Sequence, residues 1–437
     1  MGQTGEREVI RYLLVALIFA PRALWAGLIA YTYTSSLGGG IALVEVEEAA
    51  GKFRDHRVLL VDADLDKPMK VRFTASGKRV VMTNESESRP LLISSTLACG
   101  DVHRIVLPEK PDEARTFGEK IIATCGDYVI VADAVSGVIE RRMYSESDMS
   151  PGGKSPEDIF VLSSGNEALV SFQKDSKKGK NLGNRLGLFA LPELKQTADI
   201  AIPRDRPSLH IDGNPKEQGP GPEIVLIAES ADTGLVTLDL YGAVGLFDWS
   251  GVREGKLNGY ATLSTALDGS WGNSFPDRAC LFEREGKAWA LVCNAGEAGG
   301  TVLIDLGGRT ILQSWATPPG LEHPEYLKSV DRAVTVCSGK IKSRGEGGTD
   351  KARQPGNEVF ILPAPGSGAD LIRMDGGGTV YQFASVHKDR SPLIVAALES
   401  DAGLEMILVD VQKATIVDRS PSKGRIQKME SNPTADP

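Results

Sequence analysis

The sequence predicts an all-β chain folded as a β-propeller of four-stranded antiparallel blades, with eight blades favoured and seven possible. Three observations lead there. Hairpins recur along the whole chain, each follows another apolar strand, and the composition favours turns over long helices. The 437 residues include 48 Gly and 24 Pro without low complexity, which suits many short strands joined by many turns.

The stretch DYVIVADAVSGVIERRM (127–143) sets the pattern: alternating strand residues, a polar turn closed by Gly137, and a second strand. Counterparts lie at 41–53, 91–107, 186–202, 235–249, 301–315, 358–374 and 405–419. The residues that end their first strands are Glu47, Ser95, Asp133, Pro192, Asp239, Asp305, Pro363 and Asp410. The repeat is therefore roughly 50 residues, close to one propeller blade. A further apolar strand precedes each hairpin, at 28–34, 78–84, 119–125, 167–172, 223–228, 287–293, 332–337 and 392–398. Several units add a weaker innermost strand before that, as in VRFTASGKRVVMTN (71–84), where Ser76 and Gly77 make the turn. Strands thus come in fours, A to D. A four-stranded sheet cannot bury both its faces alone, so sheets stack, and a ring removes the exposed ends.

On these motifs the chain resembles the YVTN and quinoprotein-like β-propeller repeat superfamily. FTASGKRVVMTN is similar to that superfamily's A-turn-B element and VIVADAVSGVIERRM to its C-turn-D element. The resemblance covers 27–420 and implies architecture only, because the superfamily includes scaffolds, binding proteins, lactonases and dehydrogenases. WD40 repeats are a poorer match, with no Gly-His element and no Trp-Asp dipeptide ending the C strands. Residues 421–437 are polar and without period, and are expected to form a disordered tail.

Residues 1–26 hold an apolar run, Tyr12 to Ala20, behind Arg7 and Arg11, with small residues at Ala23 and Ala26. This resembles a secretory signal cleaved near Ala26 and suggests a periplasmic or secreted protein. Glu6 and Glu8 in the basic region, and Pro21-Arg22 after the run, leave two other fates open: an uncleaved membrane anchor, or a segment packed on the propeller.

A net charge of −9 argues against a nucleic-acid surface. The five cysteines form no framework and no CxxC. A turn at Gly286-Lys287 would set Cys280 opposite Cys293 and permit a disulfide; otherwise the cysteines act as small buried apolar residues. No cofactor is expected. Asp133 and Gly137 match the quinoprotein docking pattern, but Arg141 stands at its Trp position. The DADLD run (62–66) begins with calcium-loop spacing, yet Lys67 and Phe73 occupy the positions that want Gly and Glu. The histidines, His56, His103, His210, His323 and His387, are scattered without HxH or HExxH spacing, and no G-x-S-x-G element occurs.

The loops are unequal. A–B and C–D turns, on one face of a propeller, are short here. The opposite face carries long D–A connections at 144–158, 204–222 and 251–277, and long basic B–C loops at 174–184 and 338–357. Long loops on a rigid scaffold are where binding usually resides. Lys177, Lys178, Lys180, Arg185, Lys340, Lys342 and Arg344 are therefore the candidate partner-binding residues, facing a protein or an acidic polymer. The expected function is an exported binding or scaffolding module. The alternative is an enzyme, a lactonase-like hydrolase or a quinoprotein-like oxidoreductase, with its site at the channel mouth. A channel lined by converging His, Asp, Glu or Arg supports chemistry or metal binding, whereas an apolar plug supports docking.

If the long-loop face docks an acidic partner, reversing Lys177, Lys178 and Lys180 weakens retention on immobilised polyglutamate and flattens its salt dependence. Reversal of Lys287 and Lys413 on the other face leaves retention unchanged; equal loss from both faces sinks the assignment.

Overall fold

The computed structural model describes residues 26–434, apart from 99, 149–153, 175–182, 206–218, 273, 297–298, 339, 342–350 and 353–355. Eight four-stranded antiparallel sheets form the ring. Blade 1 takes strands B, C and D from Ala26–Ser35, Gly38–Glu47 and Lys52–Asp62. The innermost strands of blades 2 to 8 are Pro68–Phe73, Pro111–Phe117, Lys154–Val161, Pro222–Ala228, Pro276–Arg284, Glu325–Leu327 and Thr379–Ser385. Among the described residues helices are single turns, such as Ser145–Asp148 and Trp249–Val252. None is long and apolar enough to cross a membrane.

The segment expected to be a disordered tail closes the ring. Arg425–Ser431 is strand A of blade 1, paired antiparallel with Ala26–Ser35. Its apolar residues Ile426 and Met429 are buried, but the register slips between Thr32 and Tyr33. That slip breaks the two-residue alternation by which a strand is recognised.

Blade 5 departs from the predicted strand assignment. Pro222–Ala228 is its strand A, Thr233–Leu238 its strand B and Ala243–Asp248 its strand C. The 235–249 hairpin is therefore a B–C unit, the 229–234 turn is A–B, and Ala261–Ser264 within 251–277 is strand D. A hairpin pattern alone does not say which two strands it joins. In blade 6 the tight turn is Glu285-Gly286, with Arg284 opposite Lys287, so Cys280 faces Leu291 and Cys293 faces Arg278. The two cysteines are free, displaced by two residues from the register a bridge would need.

Apolar side chains of facing sheets interdigitate between blades; Val334, Val336 and Ile361 of blade 7 pack with Ile394, Ala396 and Ile407 of blade 8. The C–D turns use the expected chemistry. Asp133 Oδ1 accepts the N–H groups of Val135 and Ser136 at 3.0 and 2.7 Å, and Gly137 takes φ 73°.

The innermost strands share a second device. Proline opens several of them or lies near their start, and pairing with strand B skips between Pro68 and Val71, Pro111 and Glu113, Pro156 and Ile159, Pro222 and Val225, and Pro276 and Arg278. Proline cannot donate to the ladder, which confines it to strand starts and bulges. The N–H groups released by the bulges are collected by buried hydroxyls on strand B. Lys70 donates to Thr83 (3.0 Å), Glu113 to Thr124 (3.0 Å), Asp158 to Ser171 (3.0 Å), Ile224 to Thr237 (2.9 Å) and Lys428 to Thr32 (3.2 Å). Three of these hydroxyls also donate to the innermost strand of the next blade: Thr32 to Met69 O (2.6 Å), Thr124 to Glu157 O (3.2 Å) and Ser171 to Glu223 O (2.6 Å).

Thr124→Val keeps the shape but strands a buried N–H and a carbonyl, and is expected to cost about 1–3 kcal/mol. Thr310→Val, on an exposed outer strand position, is expected to stay within about 0.5 kcal/mol. Urea unfolding of both variants checks this; equal costs would remove the hydroxyl bridge as a stabilising element.

Candidate functional site

The bulges turn charged side chains into the central channel. Lys70 and Arg72 of blade 2, Glu113 and Arg115 of blade 3, Glu322, His323 and Glu325 at blade 7, Gln382 of blade 8, and Lys428 and Glu430 of blade 1 line a cavity of about 220 Å³. A Pro followed two residues later by Lys70 or Glu113, and likewise by Ile224, is the sequence signal that marks this lining. It was hidden because the bulges remove the alternation of the innermost strands.

Most of these charges neutralise one another. Glu113 meets Lys70 at 3.3 Å, Arg72 at 3.1 Å and Arg115 at 3.8 Å. Arg115 also holds Asp158 at 3.1 Å, and Arg72 holds Glu430 at 3.2 Å. Lys428 reaches past blade 8 to Glu322 at 2.6 Å. Burial opposes ionisation of Glu113, but its three cations outweigh that and hold its carboxyl well below the usual range. Burial raises Asp158, with Arg115 pulling the other way. The His323 ring faces the narrow channel; desolvation, then Arg278 and Lys428, keep its pKa well below that of free histidine. Desolvation pushes Lys428 down to about 8, against the pull of Glu322.

Through Glu325 and Glu430 the channel meets a wider cavity of about 510 Å³. Its walls include Phe282 and Glu283 near the end of blade 6 strand A, Tyr326 and Lys328 of blade 7, His387, Lys388 and Asp389 between strands A and B of blade 8, and Asn432 beyond strand A of blade 1. The mouth therefore opens on the face of the A–B and C–D turns, opposite the long B–C loops; the expected D–A connection at 251–277 is split by strand D, so that its part up to 260 is a C–D link on the mouth's own face. The rings of Phe282 and Tyr326 stack at 4.0 Å and 18°. Glu325 accepts the Ser385 N–H at 2.9 Å. Burial raises its pKa, and nearby Glu430 adds to the rise.

Of the residues expected to bind a partner, Lys177, Lys178, Lys180, Lys342 and Arg344 lie outside the described residues. Arg185 pairs with Asp199 on the neighbouring strand, its Nε donating at 2.8 Å. Lys340 begins a two-residue strand, Lys340–Ile341, paired with Lys351–Ala352 inside the blade 7 B–C connection. The histidines separate by place: His56 bonds Tyr31 and is lowered to about 4 by burial, His103 meets Asp101 at 2.9 Å, His323 is in the channel and His387 in the mouth. In the DADLD run, Asp62 accepts from Arg104 at 2.7 Å, Asp64 pairs with Arg89, and Asp66 accepts from Ser86 at 3.0 Å. Among the described residues no group of three His, Cys, Asp or Glu is arranged to hold a metal.

No family model matches the chain, and no curated protein matches it in sequence. Solved structures do resemble it in fold. The dihydro-heme d1 dehydrogenase NirN in complex with DHE aligns with a TM-score of 0.64 at 9% identity, over 93% of this chain and 76% of its own. BamB from Moraxella catarrhalis aligns at 0.53 and 12% identity, over 86% and 95%. A 6-phosphogluconolactonase-like protein from Bacteroides fragilis aligns at 0.51 and 13% identity, over 93% and 98%. The propeller is thus a known architecture, reached here by a sequence far from each of these.

Lys428 supplies a pH test. The unfolded chain keeps this proton up to the ordinary lysine value of 10.5, whereas the folded chain releases it near pH 8. Between those values the unfolded state binds more protons, so this group makes stability rise with pH. Urea midpoints at pH 7 and pH 9.5 should show a contribution of that sign that vanishes in Lys428→Met. A lysine NMR titration with no resonance moving near pH 8 would overturn the assignment.

Proposed function

We propose that this propeller is a binding protein for a small polar molecule, taken into the mouth of its central channel on the short-turn face. The supporting observation is the continuity of the roughly 510 Å³ mouth with a charged channel through Glu325 and Glu430. The channel's own ions are largely paired and serve to hold the innermost strands. Charged groups with no ion pair among the described residues, Glu283, Glu325, Lys328, Lys388 and Asp389, are gathered at the mouth. A charged channel rather than an apolar plug favours small-molecule recognition over docking alone. NirN, captured with DHE, and the lactonase-like protein make small-molecule chemistry a reasonable precedent for this shape.

The long-loop face belongs to the same proposal as a second surface, for a protein or acidic polymer, because the two faces do not compete. Export, suggested by residues 1–26, would place both surfaces outside the cytoplasm.

Thermal shift of the whole chain against sugars, amino acids, amines and organic anions tests the main reading. A ligand at about a hundred times its Kd stabilises by about 2.7 kcal/mol. Lys328→Trp and Asp389→Trp, at exposed rim positions, should abolish the shift without lowering the melting temperature of the free protein. Absence of any ligand, or shifts indifferent to both variants, would overturn the mouth as a binding site.

A further inference from the structure

The mouth has a direction. Its floor is acidic: Glu325 and Glu430 are the two side chains shared with the channel beneath. Glu430 is neutralised from below by Arg72 at 3.2 Å. Glu325 accepts hydrogen bonds from Ser385 and feels the charge of Lys388, but no cation is ion-paired to it among the described residues. The rim is different. Lys328 and Lys388 are exposed there, and their backbones are tied together by an N–H to carbonyl bond of 2.7 Å. Neither ammonium is in an ion pair among the described residues. Two acids also line this cavity: Glu283 accepts the Ser230 hydroxyl of the neighbouring blade, and Asp389 is exposed. Between floor and rim, Leu281 and the stacked rings of Phe282 and Tyr326 form an apolar wall.

An acidic floor, an apolar wall and a mixed rim that carries two lysines free of ion pairs beside Glu283 and Asp389 fit one kind of molecule. We infer that the mouth binds a zwitterionic amino acid whose ammonium sits against Glu325 and whose carboxylate reaches Lys328 and Lys388, with a hydrocarbon chain between them along Phe282 and Tyr326. This rests on the reading of the mouth as a ligand site and gives it a ligand class. A half-buried carboxylate without an ion-pair partner is costly to ionise, and an incoming ammonium reduces that cost. Neighbouring aromatic faces add attraction for a cation. A simple anion would meet Glu325 and Glu430 at the floor, and a simple cation would leave the two lysines unused.

Calorimetry with the full chain tests the arrangement, using glycine, 4-aminobutyrate, 6-aminohexanoate and 8-aminooctanoate, with hexylamine and hexanoate as half-ligands. Affinity should pass through an optimum in chain length, and the best amino acid should exceed each half-ligand by about tenfold or more, since each charge-assisted contact contributes on that scale. Glu325→Gln, whose amide oxygen can still accept from Ser385, should lose about tenfold or more for the amino acid and hexylamine while sparing hexanoate. The Lys328→Ala, Lys388→Ala double variant should show the reverse pattern. Amine binding should also weaken as the pH falls and Glu325 takes up a proton.

A length series without an optimum, or losses that do not follow charge position, overturns the zwitterion assignment. If the series fails to bind while a neutral sugar or an anion still shifts melting in a manner blocked by Lys328→Trp, the zwitterion fails and the mouth remains a ligand site. If nothing binds in a mouth-dependent way, both fall together.

Discussion

The fold depends on a single repeated contact, a buried hydroxyl on strand B that takes the N–H freed by a bulge in its own innermost strand and, in three blades, gives its proton to the next blade. Thr32, Thr124 and Ser171 each make both bonds. A bulge exposes a donor that the ladder no longer satisfies, and in a crowded ring no water can easily reach it. A hydroxyl is the smallest side chain able to accept one hydrogen bond and donate another. It therefore repairs the bulge and joins adjacent sheets whose other contacts are nondirectional apolar packing. Cys293 stands opposite Arg278 in blade 6, and its thiol makes a long contact, 3.6 Å, to Thr301 and a second to Thr335.

The same bulges produce the channel. Each proline near the start of an innermost strand shifts the pairing, and the residue two places on, Lys70, Glu113 or Ile224 among them, then lines the axis. So many ionic side chains brought together must be mutually neutral, because an unpaired charge in a narrow channel is costly. Glu113 among Lys70, Arg72 and Arg115, and Lys428 with Glu322, meet that requirement. The mouth is wide enough to escape it. There the charges are left for solvent or a ligand, with Glu325 and Glu430 at the floor and Lys328 and Lys388 exposed at the rim beside Glu283 and Asp389.

The ring, its blade number and most strand positions were legible because they follow from local chemistry. The turn at Asp133 to Gly137 identifies itself by an aspartate that caps N–H groups and a glycine at positive φ. The same reasoning misjudged blade 5, where Thr233–Leu238 and Ala243–Asp248 make an equally good hairpin in the B–C position. It also missed strand A of blade 1, since Arg425–Ser431 is half polar and bulged, and finds its partner almost four hundred residues away at Ala26–Ser35. Of the candidate site little was visible: Glu325, Lys328 and Lys388 carry no motif, and attention fell on the long basic loops instead.

By itself, then, the sequence determined a closed array of four-stranded sheets, because turn residues and two-residue alternation act over a few positions and repeat at a steady interval. Which charges meet was decided only by closure. Arg72 finds Glu430, and Lys428 finds Glu322, when the C-terminal strand completes the first blade, and the floor of the mouth comes into being with it. Such contacts join residues separated by most of the chain, and their geometry depends on the radius of the ring and the sense of each bulge, neither of which any local stretch encodes.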